Sequence, residues 1–305
     1  MDVCKMNTLD YIVKKFNVDL AKESLLFVNL TKVVPAWSCI RNSSMVCFRP
    51  TGSRGLDVGK NTKPTTRIMK DQDLTVIFYT ANVLHEPFAG TVRKQLLKAK
   101  GDYPLISVSQ KPMDFGINIC VGDIGRSHLN IYRQILIGCK AAQTKYVAMT
   151  EDDALYSYEH FHNFRPSAGK FAYDMNKWSI FTWIKPPAFF YRYRKVVNSL
   201  IAERQMLIDA LEERFKKVEE LMALGKKEEE IISRWGDPGR YERNLRVTRR
   251  PSEECTTSVP SIIFNHEEAF GFTSLGKRKK LGDQKADELP GWGKAQDIVK
   301  FWFEK

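Results

Sequence analysis

Tyr146-Val-Ala-Met-Thr-Glu151-Asp152-Asp153-Ala-Leu-Tyr156 is the stretch from which the rest of the chain is read. A short apolar run, Tyr146 to Met149, ends directly in three acids. Strand interiors are apolar because they are buried. Three adjacent carboxylates at a strand end repel one another unless positive charge sits among them. A divalent cation answers that need, since hard cations take carboxylate oxygens as ligands. In open α/β sheets, ligands bind beyond the carboxyl ends of the strands. The competing reading is a solvated acidic turn after the strand.

The flanking segments predict the sheet that such a strand would join. Leu74-Thr-Val-Ile-Phe-Tyr-Thr80 is a β-branched and aromatic run that stops at Ala81-Asn82. A helix is expected from about Ala89 to Ala99, and Pro104-Leu-Ile-Ser-Val-Ser109 reads as a second strand. Ser127 then opens an amphipathic helix with Leu129, Ile131, Tyr132, Ile135, Leu136 and Cys139 on its apolar side. Strand–helix–strand–helix–strand predicts an α/β fold: an open, mostly parallel sheet flanked by helices.

Further along, residues 176–194 are aromatic, with Pro186-Pro187 among them. Lys195 to about Leu224 is a charged helical segment, and Gly225 separates it from a second short helix ending at Trp235. Alternating charge predicts that 195–235 is an inserted helical hairpin, projecting from the sheet and outside the nucleotide site. Val259-Pro-Ser-Ile-Ile-Phe264 is expected to be a last strand, ending at Asn265-His266, followed by the cationic run Lys277-Arg278-Lys-Lys280. The expected division is therefore 1–70, an N-terminal extension or small module; 71–194, the nucleotide-binding α/β half; 195–235, the hairpin; and 236–305, an acceptor-side and C-terminal segment completing the metal site. Within the first of these, Leu9, Ile12, Val13 and Phe16 keep helical spacing, and residues 34–72 are rich in loop formers.

Length and composition set the bounds. The chain has 305 residues, enough for one large domain or two small ones. Its net charge of +12 favours a polyanionic partner: nucleic acid, a nucleotide-bearing substrate or an anionic surface. The six cysteines contain no Cys-x-x-Cys pair and read as free thiols in a reducing cytoplasm. The N-terminus lacks a signal-peptide core, and no apolar run is long enough to span a bilayer.

Acids and an imidazole suit a borderline divalent ion, manganese above all, and His266 follows a strand expected beside the acids. His160 and His162 are rival ligands. A metal with nearby cations can neutralise a diphosphate leaving group.

At this point the run 74–160 resembles the nucleotide-binding half of GT-A glycosyltransferases, and the resemblance extends over roughly 74–305. Glu151-Asp152-Asp153 is similar to the Glu-Asp-Asp form of their acid motif, which carries Mn²⁺ or Mg²⁺. The resemblance implies that Asp153 binds the metal and His266 completes its site. It implies that Glu151 lies toward the ribose or sugar, with Asp152 assisting either role. Thr80, Ala81 and Asn82 match the loop that receives the nucleoside, and Arg126 and Asn130 sit where donor contacts are made. Lys277 and Arg278 would add positive charge at the donor. Phe171–Trp178 and Leu211–Phe215 look like segments of phage and metagenomic transferases, as does the start Asn7–Val18.

The resemblance implies transfer of a sugar from a nucleotide-sugar, UDP-linked, to a hydroxyl. The basic balance points the acceptor toward 5-hydroxymethylpyrimidine in DNA. A base in a duplex must be flipped out, so stacking and phosphate contacts from Tyr191-Arg192-Tyr193-Arg194 and from Arg240, Arg243, Arg246, Arg249 and Arg250 are expected. Asp174, Glu253 and Glu254 are the candidate general bases, the glutamate pair preferred because it shortly precedes the His266 strand. Two alternatives stay open: a polysaccharide or protein hydroxyl as acceptor, and a non-catalytic nucleic-acid-binding protein on the same scaffold.

Overall fold

In the computed structural model the chain divides into two units, Met1–Thr65 and Thr66–Lys305. The structure describes residues 72–240, 242–267, 269 and 281–304. The expected module at 1–70 and the cations Lys277 and Arg278 lie outside the described residues.

Strand β1 (Leu74–Thr80) is buried along its whole length, as its apolar run requires. Helix α1 (Glu86–Lys100) starts with a proline in its first turn, where the missing N–H costs no hydrogen bond, and buries Phe88, Val92, Leu96 and Ala99 at helical spacing. β2 (Leu105–Ser109) and a short β3 (Ile117–Cys120) follow. Helix α2 (His128–Ala141) is capped by Ser127, whose side chain accepts from the Asn130 amide at 3.2 Å. It lies close on the sheet: a Cβ on Gly138 would sit 2.6 Å from the Ile77 side chain and 3.2 Å from Val108. β4 (Tyr146–Glu151) leads into the acids and β5 (Ala154–Leu155) out of them.

The remaining elements are α3 (Tyr158–His162), β6 (Phe171–Asp174), β7 (Lys177–Phe181), β8 (Phe189–Tyr191), β9 (Leu200–Glu203), α4 (Arg204–Ala223), α5 (Glu228–Trp235), α6 (Glu242–Leu245), β10 (Ser252–Cys255), β11 (Ser261–Asn265), β12 (Gln284–Ala286), the small β13 (Glu288–Leu289) and β14 (Gly293–Lys294) pair, and α7 (Ala295–Phe303). Two sheets carry the site. The larger runs β10-β6-β9-β4-β1-β2-β3, and the smaller β12-β8-β7-β11-β5. In the larger sheet β3, β2, β1 and β4 are parallel, as are β6 and β10; β9 alone runs antiparallel to both its neighbours. This is the open, mostly parallel α/β sheet the sequence predicts.

The projecting hairpin is not observed. Residues 200–203 form β9, which sits inside the larger sheet between β6 and β4. Helix α4 then buries Leu207, Leu211 and Val218 in the same core as Ile77 and Val147. Arg214 is fully buried there; its guanidinium donates to the Trp235 carbonyl at 3.0 Å and to Glu242 at 3.2 Å. Thus 195–245 is woven into the unit, and the expected boundaries at 194/195 and 235/236 cut through it. Apart from the buried Arg214, the alternating charges lie away from the core side of α4. They hide the short β-branched run that precedes it, Val196-Val197-Asn-Ser-Leu200-Ile201.

Among the described residues no helix is long and apolar enough to cross a membrane. Cys120, Cys139 and Cys255 are free thiols.

Candidate active site

Strand register brings the acids together with the rest of the site. Tyr79 pairs with Glu151 across the parallel β1/β4 ladder, so the two strands end side by side and Thr80 meets Asp152. β11 runs antiparallel to β5, with Ile263 opposite Ala154, and the Phe264 amide donates to the Asp153 carbonyl at 2.8 Å. Continued by two residues, that ladder carries His266 to the acids. His266 Nε2 lies 3.7 Å from Asp153 Oδ2, both side chains largely buried. Trp302 of α7 stacks on the imidazole at 4.6 Å and 25° between planes, which fixes the ring's orientation.

Each acid has a different environment. Glu151 accepts from the Tyr79 hydroxyl at 2.9 Å and from Asn198 Nδ2 at 2.6 Å. Burial, then the neighbouring Asp153 charge, pushes its carboxyl up to about 8, against the lowering effect of those two hydrogen bonds. Asp152 accepts from the Thr80 hydroxyl, and burial followed by Asp153 raises it to about 6. Asp153 Oδ1 and His266 Nδ1 are buried without a hydrogen-bond partner. Buried polar atoms are rarely left so.

Asp153 and His266 thus bring an oxygen and a nitrogen ligand type together, each with one unpartnered buried atom, and with the adjacent acids this donor set fits a divalent cation. Among the described residues no group of three or more His, Cys, Asp and Glu forms a ready-made cage. Asp153 and His266 can therefore supply only part of a coordination shell.

The acids open into a cavity of about 610 Å³ at the strand ends, walled by both sheets and by the start of α2. Of the residues singled out from sequence, Thr80, Ala81, Arg126, Asn130, Glu151, Asp152, Asp153, Arg192, Arg194 and His266 line it. Asn130 is occupied in bracing the preceding loop, donating to the carbonyls of Ile124 and Gly125. Asn82 does not line the cavity. It has φ +55°, a left-handed conformation that asparagine tolerates, and its carboxamide oxygen accepts from the amides of Gln110 and Lys111 at 2.9 Å each. It ties the β1 loop to the β2 loop.

The three candidate bases also lie elsewhere. Asp174 is buried and accepts from Thr257 Oγ at 3.0 Å and from the Asn176 amide at 3.0 Å, with His160 Nδ1 at 3.1 Å. Burial would raise its carboxyl, but these contacts outweigh it and hold the group below the usual range. His160 is thereby engaged, and His162 stacks on Tyr158, so neither rival histidine reaches the acids. Glu253 and Glu254 stand on the sheet-edge strand β10: the first accepts from the Ser167 amide, the second from the Tyr193 hydroxyl beside Lys195. Arg240 donates to the Lys195 carbonyl and Arg250 pairs with Glu213 at 2.8 Å. With the exposed Arg243, Arg246 and Arg249 they are not among the cavity's lining. The expected arginine cluster reduces there to Arg192 and Arg194.

Sequence reading missed Asn198 and Asp237, both in the lining. Asn198 lies in the stretch read as hairpin. Asp237 follows α5, accepts from the Tyr132 hydroxyl at 2.7 Å, and lies 3.7 Å from Arg240. It is the one described carboxylate outside the acid triplet that lines the cavity. Gly236, at φ +58° just before it, ends α5 and was the available signal.

No protein-family model and no curated protein matches the chain. Several solved structures share part of its fold. The Drosophila β1,4-galactosyltransferase 7, in complex with manganese, UDP-Gal and xylobiose, is 16% identical over 47% of this chain and 51% of its own, with a TM-score of 0.28. Staphylococcus aureus TarS is 10% identical over 63% and 60%, at 0.36. A mannosyltransferase from Pyrobaculum calidifontis, in complex with GDP-Man and Mn²⁺, is 11% identical over 66% and 59%, at 0.34. In each case the chain spans less than two thirds of the solved protein's length, and likenesses this loose carry no argument about activity.

Proposed function

We propose that the protein is a metal-dependent glycosyltransferase of the GT-A kind, moving a sugar from a UDP-sugar to a hydroxyl, that of 5-hydroxymethylpyrimidine in DNA. The observation that carries this reading is the meeting of Asp153 and His266, each with an orphaned buried polar atom, at the floor of a strand-end cavity. These two side chains would hold Mn²⁺ or Mg²⁺. When bound, the ion supplies positive charge that stabilises the departing diphosphate.

The chain's own residues do the rest. Thr80, Ala81 and Arg126 border the end of the cavity that receives the nucleotide. Tyr79 and Asn198 hold Glu151 in one rotamer. Held so, Glu151 presents its carboxyl toward a donor hydroxyl. Asp237 is the group assigned to take the acceptor's proton as the hydroxyl oxygen bonds to the sugar's anomeric carbon and the bond from that carbon to the diphosphate breaks. Tyr132 orients Asp237 through the 2.7 Å hydrogen bond. The DNA acceptor is supported by the net charge of +12 and by Arg192 and Arg194 at the cavity.

Incubation of the full chain with a panel of nucleotide-sugars, Mn²⁺ and either unmodified or hydroxymethylpyrimidine DNA, with mass analysis of the nucleosides, tests the reading. A hexose-sized mass gain confined to modified DNA, lost in Asp237→Asn, is expected. Transfer to glycans but never to DNA would move the acceptor elsewhere. UDP-sugar that neither binds nor reacts would refute glycosyl transfer altogether.

A further inference from the structure

The cavity has two electrostatic poles, and the acids account for only one. Alternation along the smaller sheet sets the other. On β7, Lys177, Ser179 and Phe181 face the cavity; Phe190 on β8 faces it too, with Arg192 and Arg194 continuing the same alternation. Trp178 pairs with Tyr191, so Arg192 comes one position past the last pair and beside Lys177. One end of this face is apolar, Phe181 and Phe190, and lies next to Asn265 and His266. The other end is cationic.

Lys177 is only 6% exposed, and its ammonium donates to the Arg194 carbonyl. Neighbouring cations are paired: Lys195 with Glu254 at 3.0 Å and Arg240 with Asp237 at 3.7 Å. Among the described residues no ion pair engages Lys177, Arg192 or Arg194. A buried ammonium with no carboxylate in ion-pair contact is costly. Burial accordingly lowers Lys177 to about 8, only partly offset by the charges of Asp174 and Asp237, and an anion in contact with it would raise it again. Three cations with no carboxylate in ion-pair contact, facing a cavity, can receive a ligand that brings an anion.

We propose that Lys177, Arg192 and Arg194 form an anion subsite that binds a phosphate ester of the acceptor. This rests on the glycosyl-transfer reading for which substrate the phosphate belongs to. Register separates it from the donor's phosphates. Lys177 is level with Ser261 and Phe181 with Asn265, so four residues, about 13 Å of strand, lie between the cationic end and the Asp153–His266 end. A diphosphate, two phosphates joined by one oxygen, is much shorter than this backbone offset. On the DNA reading the bound group is a backbone phosphate flanking the flipped nucleotide, held by the arginine forks and the lysine charge.

The test uses the full chain, wild type, Lys177→Met and Arg192→Gln/Arg194→Gln. The arginine pair is exposed, so the double variant keeps the test open if Lys177→Met fails to fold. Three ligands are titrated by calorimetry: UDP with Mn²⁺, a short single-stranded deoxyoligonucleotide, and the same oligonucleotide with a neutral methylphosphonate backbone. The charged oligonucleotide should bind wild type, the neutral one should bind at least about tenfold more weakly, and both variants should lose about that factor for the charged one alone. UDP–Mn²⁺ affinity should be unchanged in the variants. If the variants lose UDP binding in the same proportion, the cations serve the donor diphosphate and the proposal is overturned. Equal binding of the charged and neutral oligonucleotides overturns it as well. If UDP–Mn²⁺ fails to bind any of the three proteins while the backbone discrimination holds, the anion subsite stands and the transferase reading falls.

Discussion

Glu151 offers a direct measure of how the site is balanced without its cation. Its carboxyl is raised from 4.5 to about 8, by burial first and the Asp153 charge second. The folded state therefore keeps a proton that the unfolded state has lost between those two values. Over that window the unfolded chain binds fewer protons, so stability must fall as pH rises. At about 1.4 kcal/mol per pH unit the full span from 4.5 to about 8 corresponds to about 5 kcal/mol. Asp152, raised to about 6, adds a loss in the same direction at the lower end of the window. The perturbation is Glu151→Gln, which removes the charge and keeps a side chain able to meet Tyr79 and Asn198. The assay is urea unfolding in EDTA at pH 5 and pH 8. Wild type should lose stability between the two pH values, and the Gln variant should lose less, by up to a few kcal/mol. Titrating groups that do not interact with Glu151 cancel in the difference between the proteins. Mn²⁺ should stabilise wild type more at pH 8 than at pH 5, because binding to the acids competes with protons. Parallel pH dependences for wild type and Glu151→Gln would refute the argument, since the raised carboxyl would then contribute nothing to the folding equilibrium.

Three further outcomes follow from the geometry. Asp153→Asn and His266→Ala should each cut transfer by about a hundredfold or more and abolish the Mn²⁺-dependent rise in Tm, with far-UV circular dichroism unchanged; full activity of wild type after exhaustive chelation would contradict this. Glu242→Ala leaves the Arg214 guanidinium buried without its counter-charge and should cost about 3–5 kcal/mol in urea unfolding, whereas Arg214→Met/Glu242→Leu should recover most of that loss. Gly138→Ala places a methyl 2.6 Å from Ile77 and should destabilise by about 1–3 kcal/mol, with a lowered Tm as the readout.

What the sequence by itself determined is β1, α1, β2, α2 and β4, while the short, partly exposed β3 went unread. Buried strands, capped helices and an acid triplet at a strand end are local patterns: apolar period, a Ser127 cap, a β-branched run stopped by polar residues. Parallel pairing then follows from the crossover helices, and with it the place of the acids beside Thr80. The placement of His266 was half legible, because the strand before it is apolar, but its meeting with Asp153 depends on β11 pairing with β5.

Only the tertiary structure decided the rest. Val196–Ile201 is apolar enough for a strand, yet charged neighbours on one side of α4 disguised it, and only the gap between β4 and β6 shows why it is needed. Asn198 reaches Glu151 because that strand is inserted there. Asp174, Glu253 and Glu254 carry the right functional group for a base but are turned into the core or onto the sheet edge, while Asp237, unremarked in sequence, is turned inward. The cationic pole is likewise invisible in one dimension: Lys177 and Arg192 are fifteen positions apart and become neighbours through the β7/β8 pairing. Periodicity records which side chains share a face of one element. Which elements share a cavity depends on strand order and register, and these are settled by long-range contacts that no local window contains.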